Sequence, residues 1–519
     1  MNQHIKNKIS FHVLIIFAAG LMCFTFLNSY PVSILDESKN VEAAREMIES
    51  GDYWIPKFNG ELRTDKPPLH YYFMVIGMKL FGVNEFGVRF FSALMGFTLI
   101  LFFFNFCIRY LDKTQAYIST IIFLSSFFFM HEFRLAVPDP YLITFNALSL
   151  FSFFEYFKKK KIKFLILFYF FVALGSLAKG PVAILLPGLS VGLFLLLKKQ
   201  LKNVLSYYPI LGIVGVLLVT SPWYINVHLL TNGEWTKGFF IEHNLNRFGS
   251  EMEGHGGIFL ITFGYVLLGL LPFSFFIPQA LINSYKERKN NLILFCSCVT
   301  IVFVLFFCIS STKLPNYTMP CYPFLIILIS NFIYKKLNFG FRNSDIISFI
   351  FLSVISVTLP ILIYFLLSND SDLSHLKYLS LLFIPTAMGS VLGLLMFLKK
   401  NARSTIVTLA FSWGILLILF TSIIFPSLTG VLPTTVIKNK IGNSENVVVF
   451  KNMDPAFPFN FRKTYTVIEN ANKLKEYKGY YLISNHRSGQ ELDTIKNISK
   501  ILSQKALFEN NTSVLYKIN

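Results

Sequence analysis

The stretch KKKKIKFLILFYFFVALGSLAKGPVAILLPGLSVGLFLLLKKQLK, from Lys158 to Lys202, predicts the architecture of the whole chain. It contains two apolar runs, 162–178 and 181–197, which are separated by a short Lys-Gly-Pro turn and bounded by lysine tracts. Each run is about as long as a helix that crosses the hydrocarbon core of a bilayer. Lysine tracts are typical of the cytoplasmic ends of such helices. The stretch therefore predicts two membrane-spanning helices whose short connection lies on the opposite face.

The rest of the chain repeats this pattern of long apolar runs and short basic tracts. Of its 519 residues, 54% are hydrophobic and only 14% are charged, and the mean hydropathy is +0.56. A soluble domain cannot bury that much apolar surface, whereas a bilayer solvates it. The net charge of +19 would indicate a nucleic-acid partner in a soluble protein. Here the charge lies between apolar segments, so we expect membrane lipid around the protein and no nucleic acid.

Thirteen apolar runs are long enough to be membrane-spanning helices. We interpret the first as a retained anchor, because it lacks a clear small-x-small cleavage site. If the N-terminus is cytoplasmic, the basic tracts between the runs all fall on the cytoplasmic side, as the positive-inside rule requires. We predict an all-α polytopic membrane protein, with a transmembrane domain over residues 1–426 that includes an outer loop at 30–86. The runs are 11–29, 87–108, 115–131, 138–157, 162–178, 181–197, 205–227, 257–280, 292–310, 317–334, 345–368, 377–398 and 404–425.

The composition changes after the last apolar run. The pieces ENVVVF, TYTVIE and GYYLIS are rich in the β-branched and aromatic residues of short strands, and ANKLKEY is typical of a helical piece. An odd number of spans places this tail on the outer side. We therefore expect a small C-terminal α+β domain over residues 427–519, a length within the usual range for a domain.

A few cations remain in the outer loops, which the positive-inside rule leaves poor in Lys and Arg. Those in the short loops stand beside proline or glycine, where helices end and side chains converge. One such residue is usually an interfacial charge, but several on one face favour a shared site. The cations are Arg45, Lys66, Arg134, Lys179, Arg247 and Lys313, and the acids on the same face are Asp36, Glu37, Asp65, Asp139 and Glu242.

This mixture of charges is suited to glycosyl transfer from a lipid-linked phosphate. Arg and Lys neutralise phosphate oxygens, and Tyr hydroxyls add hydrogen-bond donors. When the sugar leaves the phosphate, negative charge grows on the leaving group and positive charge develops on the sugar. Cations stabilise the first charge and a carboxylate stabilises the second. We therefore predict a membrane glycosyltransferase whose active site lies on the outer face.

Several motifs resemble those of one family of such enzymes. The segment LDESKNVEAAREMIESGDYWIPKFNGELRTDKPPLHYY (35–72) is similar to the first outer loop of bacterial aminoarabinose transferases of lipid A. These belong to the protein O-mannosyltransferase-like group of polytopic glycosyltransferases with the GT-C fold. Shorter matches are FGVNEFGVRFFSALMG (81–96), RLAVPDP (134–140), LAKGP (177–181), IEHNLNRF (241–248), HGGIFL (255–260) and KLPNYTMP (313–320).

The resemblance implies a substrate pair and a cellular location. The donor would be a sugar linked to undecaprenyl phosphate, such as the amino sugar 4-amino-4-deoxy-L-arabinose. The acceptor would be lipid A, at the periplasmic face of the bacterial inner membrane. A GT-C fold with about thirteen transmembrane helices is expected.

The resemblance also implies roles for individual residues. Asp36 is the expected catalytic residue, and Asp139 matches a second acid of the family. Lys66, which precedes two prolines, and Tyr317 are expected to contact the donor phosphate. The family usually has Arg where this chain has Lys39, which keeps the charge and loses the bidentate fork. The predicted set that binds the donor phosphate is Lys39, Lys66, Arg134, Lys313 and Tyr317.

Further residues of the outer face are expected to contact the acceptor or to support the site. Asp65 with His255 would hold a divalent cation, although two candidate ligands are few for a metal site. No other cofactor is predicted. The supporting residues are Glu37, Arg45, Asp65, His243, Arg247 and His255.

Plainer interpretations stay open beside this one. Asp36 and Glu37 would also cap a helix over SKNVEAAREMIES, whose apolar side suggests a position on the membrane surface. His243 would also serve as a structural histidine. Alternatively, the chain is a polyprenyl-phosphate-sugar transferase acting on another envelope glycan or protein, a lipid-linked sugar transporter, or an assembly scaffold. Transporters usually place polar residues near the bilayer midplane, whereas here the charges gather at one face.

Overall fold

The computed structural model describes residues 3–246, 249, 256–340, 343–442, 446–507 and 511–519, and most of them are helical. The helices of the first half are α1 (Gln3–Phe24), α2 (Leu35–Ser50), α3 (Leu69–Phe81), α4 (Glu85–Tyr110), α5 (Lys113–Ser125), α6 (Phe127–Glu132), α7 (Asp139–Lys159), α8 (Ile162–Lys179), α9 (Val182–Leu197), α10 (Pro209–Leu230) and α11 (Glu234–Lys237). The following helices are α12 (Ile261–Gly269), α13 (Ile277–Lys286), α14 (Asn291–Ile309), α15 (Tyr322–Phe339), α16 (Asn343–Ser368), α17 (Ile384–Leu398), α18 (Ala402–Leu419) and α19 (Phe425–Thr429).

Shorter helical types extend or connect these elements. The 3₁₀ segments are Leu201–Tyr207, Phe273–Phe276, Met319–Cys321 and Ser374–Phe383. The π-helical segments are Gly238–Asn246 and Phe420–Ile424. Every predicted apolar run therefore lies on helical structure, which confirms the all-α membrane architecture.

In the part of the chain that the structure describes, fewer helical segments meet a test of length and composition for membrane spans than there are apolar runs. Among the described residues, seven helical segments are long and apolar enough to span, or eight if one bent pair counts as a span. The other predicted runs do not pass this test of length and composition, although α7 has 21 residues and α15 has 18. The seven are Glu85–Tyr110, Ile162–Lys179, Pro209–Leu230, Asn291–Ile309, Asp345–Ser368, Ser374–Leu398 and Ala402–Thr429.

The bent pair lies in the predicted span 257–280, which the structure shows to be broken. Here α12 and the segment Phe273–Lys286 meet at an angle of 118°. Pro272 lies at the break and cannot donate the backbone hydrogen bond that would continue the helix. A window of apolar residues does not show this bend, because both arms are equally apolar.

The outer faces of the helices are suited to lipid. On α10, Leu211 and Leu218 are 68% and 70% exposed, although both belong to a strongly apolar segment. Water would disfavour such a surface, whereas acyl chains solvate it. The inner faces pack into one large apolar core rich in phenylalanine.

The outer loop has a compact structure of its own. After α2, strands β1 (Lys57–Phe58) and β2 (Glu61–Leu62) form an antiparallel hairpin, and α3 follows Pro67 and Pro68. Residues on several sides of α2 are buried, including polar ones, because α3 and the C-terminal domain cover it. The helix is therefore enclosed by protein, which differs from the predicted position on the membrane surface.

The tail forms the expected small α+β domain. Its helices are α20 (Pro433–Ile441), α21 (Phe457–Phe461) and α22 (His486–Gly489). Its strands are β3 (Val447–Phe450), β4 (Val467–Ile468), β5 (Tyr481–Asn485), β6 (Ile498–Lys505) and β7 (Thr512–Ile518). The sheet order is β4-β3-β5-β7-β6, with β3 parallel to β4 and β5, and β7 antiparallel to β5 and β6.

The three predicted strands correspond to β3, β4 and β5, whereas ANKLKEY forms the 3₁₀ segment Ala471–Tyr477. The strands β6 and β7 were not predicted. Both faces of the sheet are covered by apolar clusters, as expected for a mixed sheet that contains parallel strands.

Candidate active site

An apolar cavity of about 400 Å³ opens beside the outer loop. Its walls come from α7, α8, α9 and α14, from the π-helical segment Gly238–Asn246 and from residues before α3. Most lining side chains are apolar, and a few charged or polar ones join them, which is typical of a site for an amphipathic ligand. The lining residues are Asp65, Lys66, Leu142, Lys179, Pro181, Val182, Leu185, Phe239, Phe240, His243, Asn244, Leu245, Phe306, Phe307, Ser310 and Tyr317.

Lys66 links this cavity to Asp36. The Lys66 Nζ lies 3.8 Å from Asp36 Oδ1, and Arg63 Nη2 lies 4.0 Å from the same oxygen. Lys66 is only 6% exposed, whereas the side chain of Asp36 is 44% exposed. The arrangement therefore presents an accessible carboxylate beside a cation in the cavity wall.

Asp65 is held between two partners. Its Oδ2 lies 3.1 Å from Arg63 Nη2, and its Oδ1 lies 3.0 Å from His243 Nε2. Burial alone would raise the pKa of Asp65, but the hydrogen bond from His243 and the charges of Arg63 and Lys66 hold this pKa well below its ordinary value. Asp65 is therefore an anion at neutral pH, and it ties the π-helical segment to the outer loop.

His70 lies behind these charges. It is fully buried, and its ring packs against Tyr71 with centroids 3.9 Å apart. Burial lowers the pKa of His70 well below its ordinary value, and the charges of Lys66 and Arg63 lower it further. The imidazole is therefore neutral and adds no positive charge to the site.

A second group of charges surrounds Lys179, which also lines the cavity. Lys179 forms an ion pair with the buried Asp139. The Lys179 Nζ also lies 5.1 Å from the ring centroid of Tyr317. The amide of Asn316 donates to Glu132 Oε1 at 3.4 Å. The structure therefore brings together Asp139 and Tyr317, which the sequence placed in separate motifs.

Helix ends account for much of this convergence. Asp36 is in the first turn of α2 and Asp139 is the first residue of α7, whereas Lys179 is the last residue of α8. Acids at the N-terminus of a helix and cations at its C-terminus both interact favourably with the helix dipole. Pro138 and Pro181 stand just before helices, so the chain turns where these charges are needed.

Three of the predicted site residues form contacts outside the cavity. Glu37 is buried, forms two hydrogen bonds with the Arg89 guanidinium at 2.8 and 2.9 Å, and accepts the Ala136 N–H at 2.9 Å. Arg45 pairs with Glu42 and Glu49 of its own helix. Arg134 is buried and donates to the backbone carbonyl of Met22. None of the three predicted residues lines the described cavity, and Glu37 and Arg45 hold the outer loop in place.

The other predicted residues have different placements. Lys39 is half-buried on α2, and it does not line the described cavity. Lys313 is buried and donates to the Ser310 carbonyl at 2.5 Å, so it caps the C-terminal end of α14 beside the cavity. Arg247 and His255 lie outside the described residues.

Whether a divalent cation binds at Asp65 and His255 stays open, as it was from the sequence, because His255 lies outside the described residues. Among the described residues, no group of three or more His, Cys, Asp and Glu side chains has the arrangement of a metal site. The Asp65 carboxylate already contacts Arg63 and His243, which both compete with a metal ion for its oxygens.

Several residues of the site were not predicted from the sequence. Arg63 contacts both Asp36 and Asp65, and it also donates to Tyr71 Oη at 3.0 Å and to Asn40 Oδ1 at 3.1 Å. Its position three residues before Lys66 was the available signal. His70, Glu132 and Asn316 were missed as well, because each lies in an apolar or turn segment where a single polar residue has a structural explanation.

The site can be compared with known proteins. The family model described as dolichyl-phosphate-mannose-protein mannosyltransferase matches residues 65–225. A protein of Aquifex aeolicus (strain VF5) of uncharacterized function is 31% identical over 363 residues, which cover 68% of this chain and 70% of that protein. An undecaprenyl phosphate-alpha-4-amino-4-deoxy-L-arabinose arabinosyl transferase of Shewanella sediminis (strain HAW-EB3) is 29% identical over 336 residues, or 63% of this chain. The alignment spans 61% of the length of that transferase.

The fold resembles a solved structure over almost the whole chain. The crystal structure of ArnT from Cupriavidus metallidurans bound to undecaprenyl phosphate aligns with a TM-score of 0.80, at 19% identity, over 98% of both chains. The apo state of the same protein aligns with a TM-score of 0.81, also at 19% identity and 98% coverage of both chains. This likeness includes the membrane helices and the C-terminal domain.

Proposed function

Because the chain belongs to the aminoarabinose-transferase-like family of GT-C membrane glycosyltransferases, we propose that it transfers an amino sugar from undecaprenyl phosphate to lipid A. The sugar is 4-amino-4-deoxy-L-arabinose or a close analogue, as the name of the Shewanella sediminis relative suggests. The reaction takes place at the periplasmic face of the inner membrane. The placement of basic tracts between the apolar runs supports this side.

The observation that carries the proposal is the contact between Lys66 and Asp36 beside an apolar cavity. The cavity offers apolar walls for the isoprenoid chain of the carrier. Lys66 and Lys179 are the cations in its lining, and Tyr317 is a phenol close to Lys179. A phosphate held by these groups lies next to the accessible carboxylate of Asp36, which is 3.8 Å from Lys66.

The transfer is a single displacement at the anomeric carbon. The bond between that carbon and the phosphate oxygen breaks, and undecaprenyl phosphate leaves with the electron pair. The cations stabilise its growing negative charge, because they are already oriented in a poorly solvated site. An oxygen of the acceptor forms the new bond from the opposite face, so the anomeric configuration inverts.

The acceptor decides what Asp36 does. A lipid A phosphate is already an anion and releases no proton, so Asp36 then stabilises the positive charge that develops on the sugar or its amino group. If a hydroxyl attacks instead, Asp36 accepts its proton as general base. Asp139 acts on the phosphate side, because its carboxylate orients the ammonium group of Lys179.

The test is a transfer assay with the purified protein in lipid nanodiscs. Undecaprenyl-phosphate-linked 4-amino-4-deoxy-L-arabinose is the donor and lipid A is the acceptor, and mass spectrometry detects the product. We expect Asp36→Asn to lower the rate by at least roughly 100-fold, the scale of a lost acid–base or charge-stabilising group. Glu61→Gln removes an exposed acid of the same loop and should leave the rate unchanged.

Different results would contradict different parts of the proposal. Wild-type rates in Asp36→Asn would remove Asp36 from the mechanism, and a product with retained configuration would exclude a single displacement. Unmodified lipid A, combined with donor consumption when other envelope glycans or proteins are supplied, would assign a different acceptor. Lipid A compared between a deletion strain and its complemented strain gives the same answer in cells.

A further inference from the structure

One short segment of the C-terminal domain contacts the outer loop at several points. We call this segment, residues 459–465, the clasp segment. Its Asn460 Nδ2 donates to the backbone carbonyl of Val32 at 2.7 Å. Val32 is fully buried and lies four residues before Asp36. This contact therefore fixes the backbone that leads into the N-terminal turn of α2.

The clasp segment also holds the β1–β2 hairpin. The Asn59 Nδ2 donates to the Tyr465 carbonyl at 3.1 Å, and the Tyr465 N–H donates to Asn59 Oδ1 at 2.7 Å. One side-chain amide thus pairs with both backbone groups of one residue, as a neighbouring strand would. Asn59 lies four residues before Arg63, which contacts Asp36 and Asp65.

Two further contacts join the same partners. Thr464 Oγ1 accepts from Arg45 Nη2 at 3.3 Å, and Phe459 packs in the apolar cluster between α2 and α3. The hairpin turn is also tied to α2 itself, because Glu46 accepts the N–H groups of Asn59 and Gly60 at 2.5 and 3.0 Å. The loop, its helix and the C-terminal domain therefore form one connected unit.

We propose that the C-terminal domain positions the catalytic loop, through the clasp segment. The segment holds both chain stretches that lead to the site, one before Asp36 and one before Arg63 and Lys66. The distance between Asp36 and Lys66 depends on these two stretches, since the residues are 30 positions apart in the sequence. In its effect on transfer, this inference rests on the proposed function.

Two substitutions remove hydrogen bonds between the clasp segment and the outer loop. Asn59→Gly removes both side-chain hydrogen bonds, and glycine readily adopts the φ of +53° found at this position. Asn460→Ala removes the bond to Val32 and, within the C-terminal domain, the bond to the carbonyl of Ala456 at the start of α21. The matched control is Gln504→Ala, because Gln504 Nε2 donates to Asp372 Oδ2 at 3.1 Å and so joins the C-terminal domain to a loop away from the site.

Hydrogen exchange tests the clasp independently of any substrate. In the full-length Asn59→Gly/Asn460→Ala protein, we expect faster amide exchange in residues 30–40 and 56–66. Exchange in β3 and β7 should match wild type, which shows that the C-terminal domain is folded. Unchanged exchange in both loop stretches, or the same increase in Gln504→Ala, would overturn the proposal.

Kinetics separate positioning from a general loss of stability. In the double variant we expect kcat to fall roughly tenfold, because small displacements of catalytic groups cost rate steeply. The KM for the undecaprenyl-phosphate-linked sugar should change less than kcat. Asn59→Asp keeps the acceptor for the Tyr465 N–H, so its kcat should lie between those of the wild type and the double variant. Equal losses of kcat in the double variant and in Gln504→Ala would contradict a positioning role.

If the wild-type protein transfers no sugar, the proposed function fails. The hydrogen-exchange data alone then test whether the clasp segment positions the outer loop.

Discussion

At the scale of single residues, the site is a set of charges that restrain one another. Arg63 contacts Asp36 and Asp65, Asp65 contacts His243, and Lys66 contacts Asp36. The carboxylate of Asp36 is the most exposed of this group, with 44% of the side chain accessible. A carboxylate that is oriented by neighbours and still open to solvent is suited to meet a substrate.

Asp65 leads to a prediction about pH. Because its pKa is held below that of the unfolded chain, its carboxylate stabilises the fold above the unfolded value of about 3.9, and this contribution is lost as the pH falls further. We expect Asp65→Asn to lower the melting temperature in detergent by a constant margin between about pH 8 and pH 5. The margin should narrow below about pH 4.

The measurement is thermal unfolding of wild type and variant across this pH range. Glu61→Gln, which removes an exposed acid from the same loop, is the control and should follow wild type throughout. If the difference in melting temperature between wild type and Asp65→Asn widens on acidification, ion pairing does not lower the pKa of Asp65.

At the scale of elements, α2 is anchored by its buried charges. Glu37 joins this helix to Arg89 of α4 and to the backbone of Ala136, which precedes α7. The neighbouring Asp36 then projects from a helix that cannot rotate. The sequence suggested that Glu37 contacts the acceptor or supports the site, whereas the structure places it in a buried contact next to Asp36, the proposed catalytic residue.

Glu37→Gln tests this anchor. The substitution leaves the buried guanidinium of Arg89 without its counter-charge, and removing one member of a buried ion pair costs about 3–5 kcal/mol. We expect a large fall in melting temperature and in the yield of folded protein. Glu49→Gln, on the same helix, is the comparison, because Glu49 is mostly exposed and exposed pairs contribute about 0–1 kcal/mol. Equal stability of Glu37→Gln and wild type would exclude an anchoring role.

At the scale of the whole molecule, the basic tracts and the charged site lie at opposite ends of the helices. The lysines around 158–163 and 198–202 flank α8 and α9, whereas Lys179 lies at the junction between these helices. This separation predicts that the C-terminal domain and the site share the outer side.

Labelling with a membrane-impermeant maleimide tests the orientation. The six native cysteines are all buried, so the background should be low. In spheroplasts, Asn497→Cys in the C-terminal domain should react, whereas Asn203→Cys, directly after Lys202, should react only after permeabilisation. Both positions are exposed, so a difference in labelling reports the side of the membrane. The reverse pattern would invert the proposed topology.

The sequence predicts local features of this protein better than features that depend on distant contacts. Apolar runs, basic tracts and Pro-Pro or Gly-Pro breaks are local, and they indicated the helices and the face of the site. The bend at Pro272 and the strands β6 and β7 were missed, because composition alone does not show the angle between two apolar arms or the pairing of short strands far along the chain.

The sequence by itself determined that this is a helical membrane protein with charges gathered on one face, because hydropathy and charge are read residue by residue. It also indicated Asp36, Lys66, Asp139 and Tyr317, through short motifs. Only the tertiary structure decided which charges meet. The pairing of Asp36 with Lys66 and of Asp139 with Lys179, and the buried roles of Glu37 and Arg134, depend on packing between elements far apart in the chain. Such packing follows from the sum of many contacts, and no single stretch of sequence contains it.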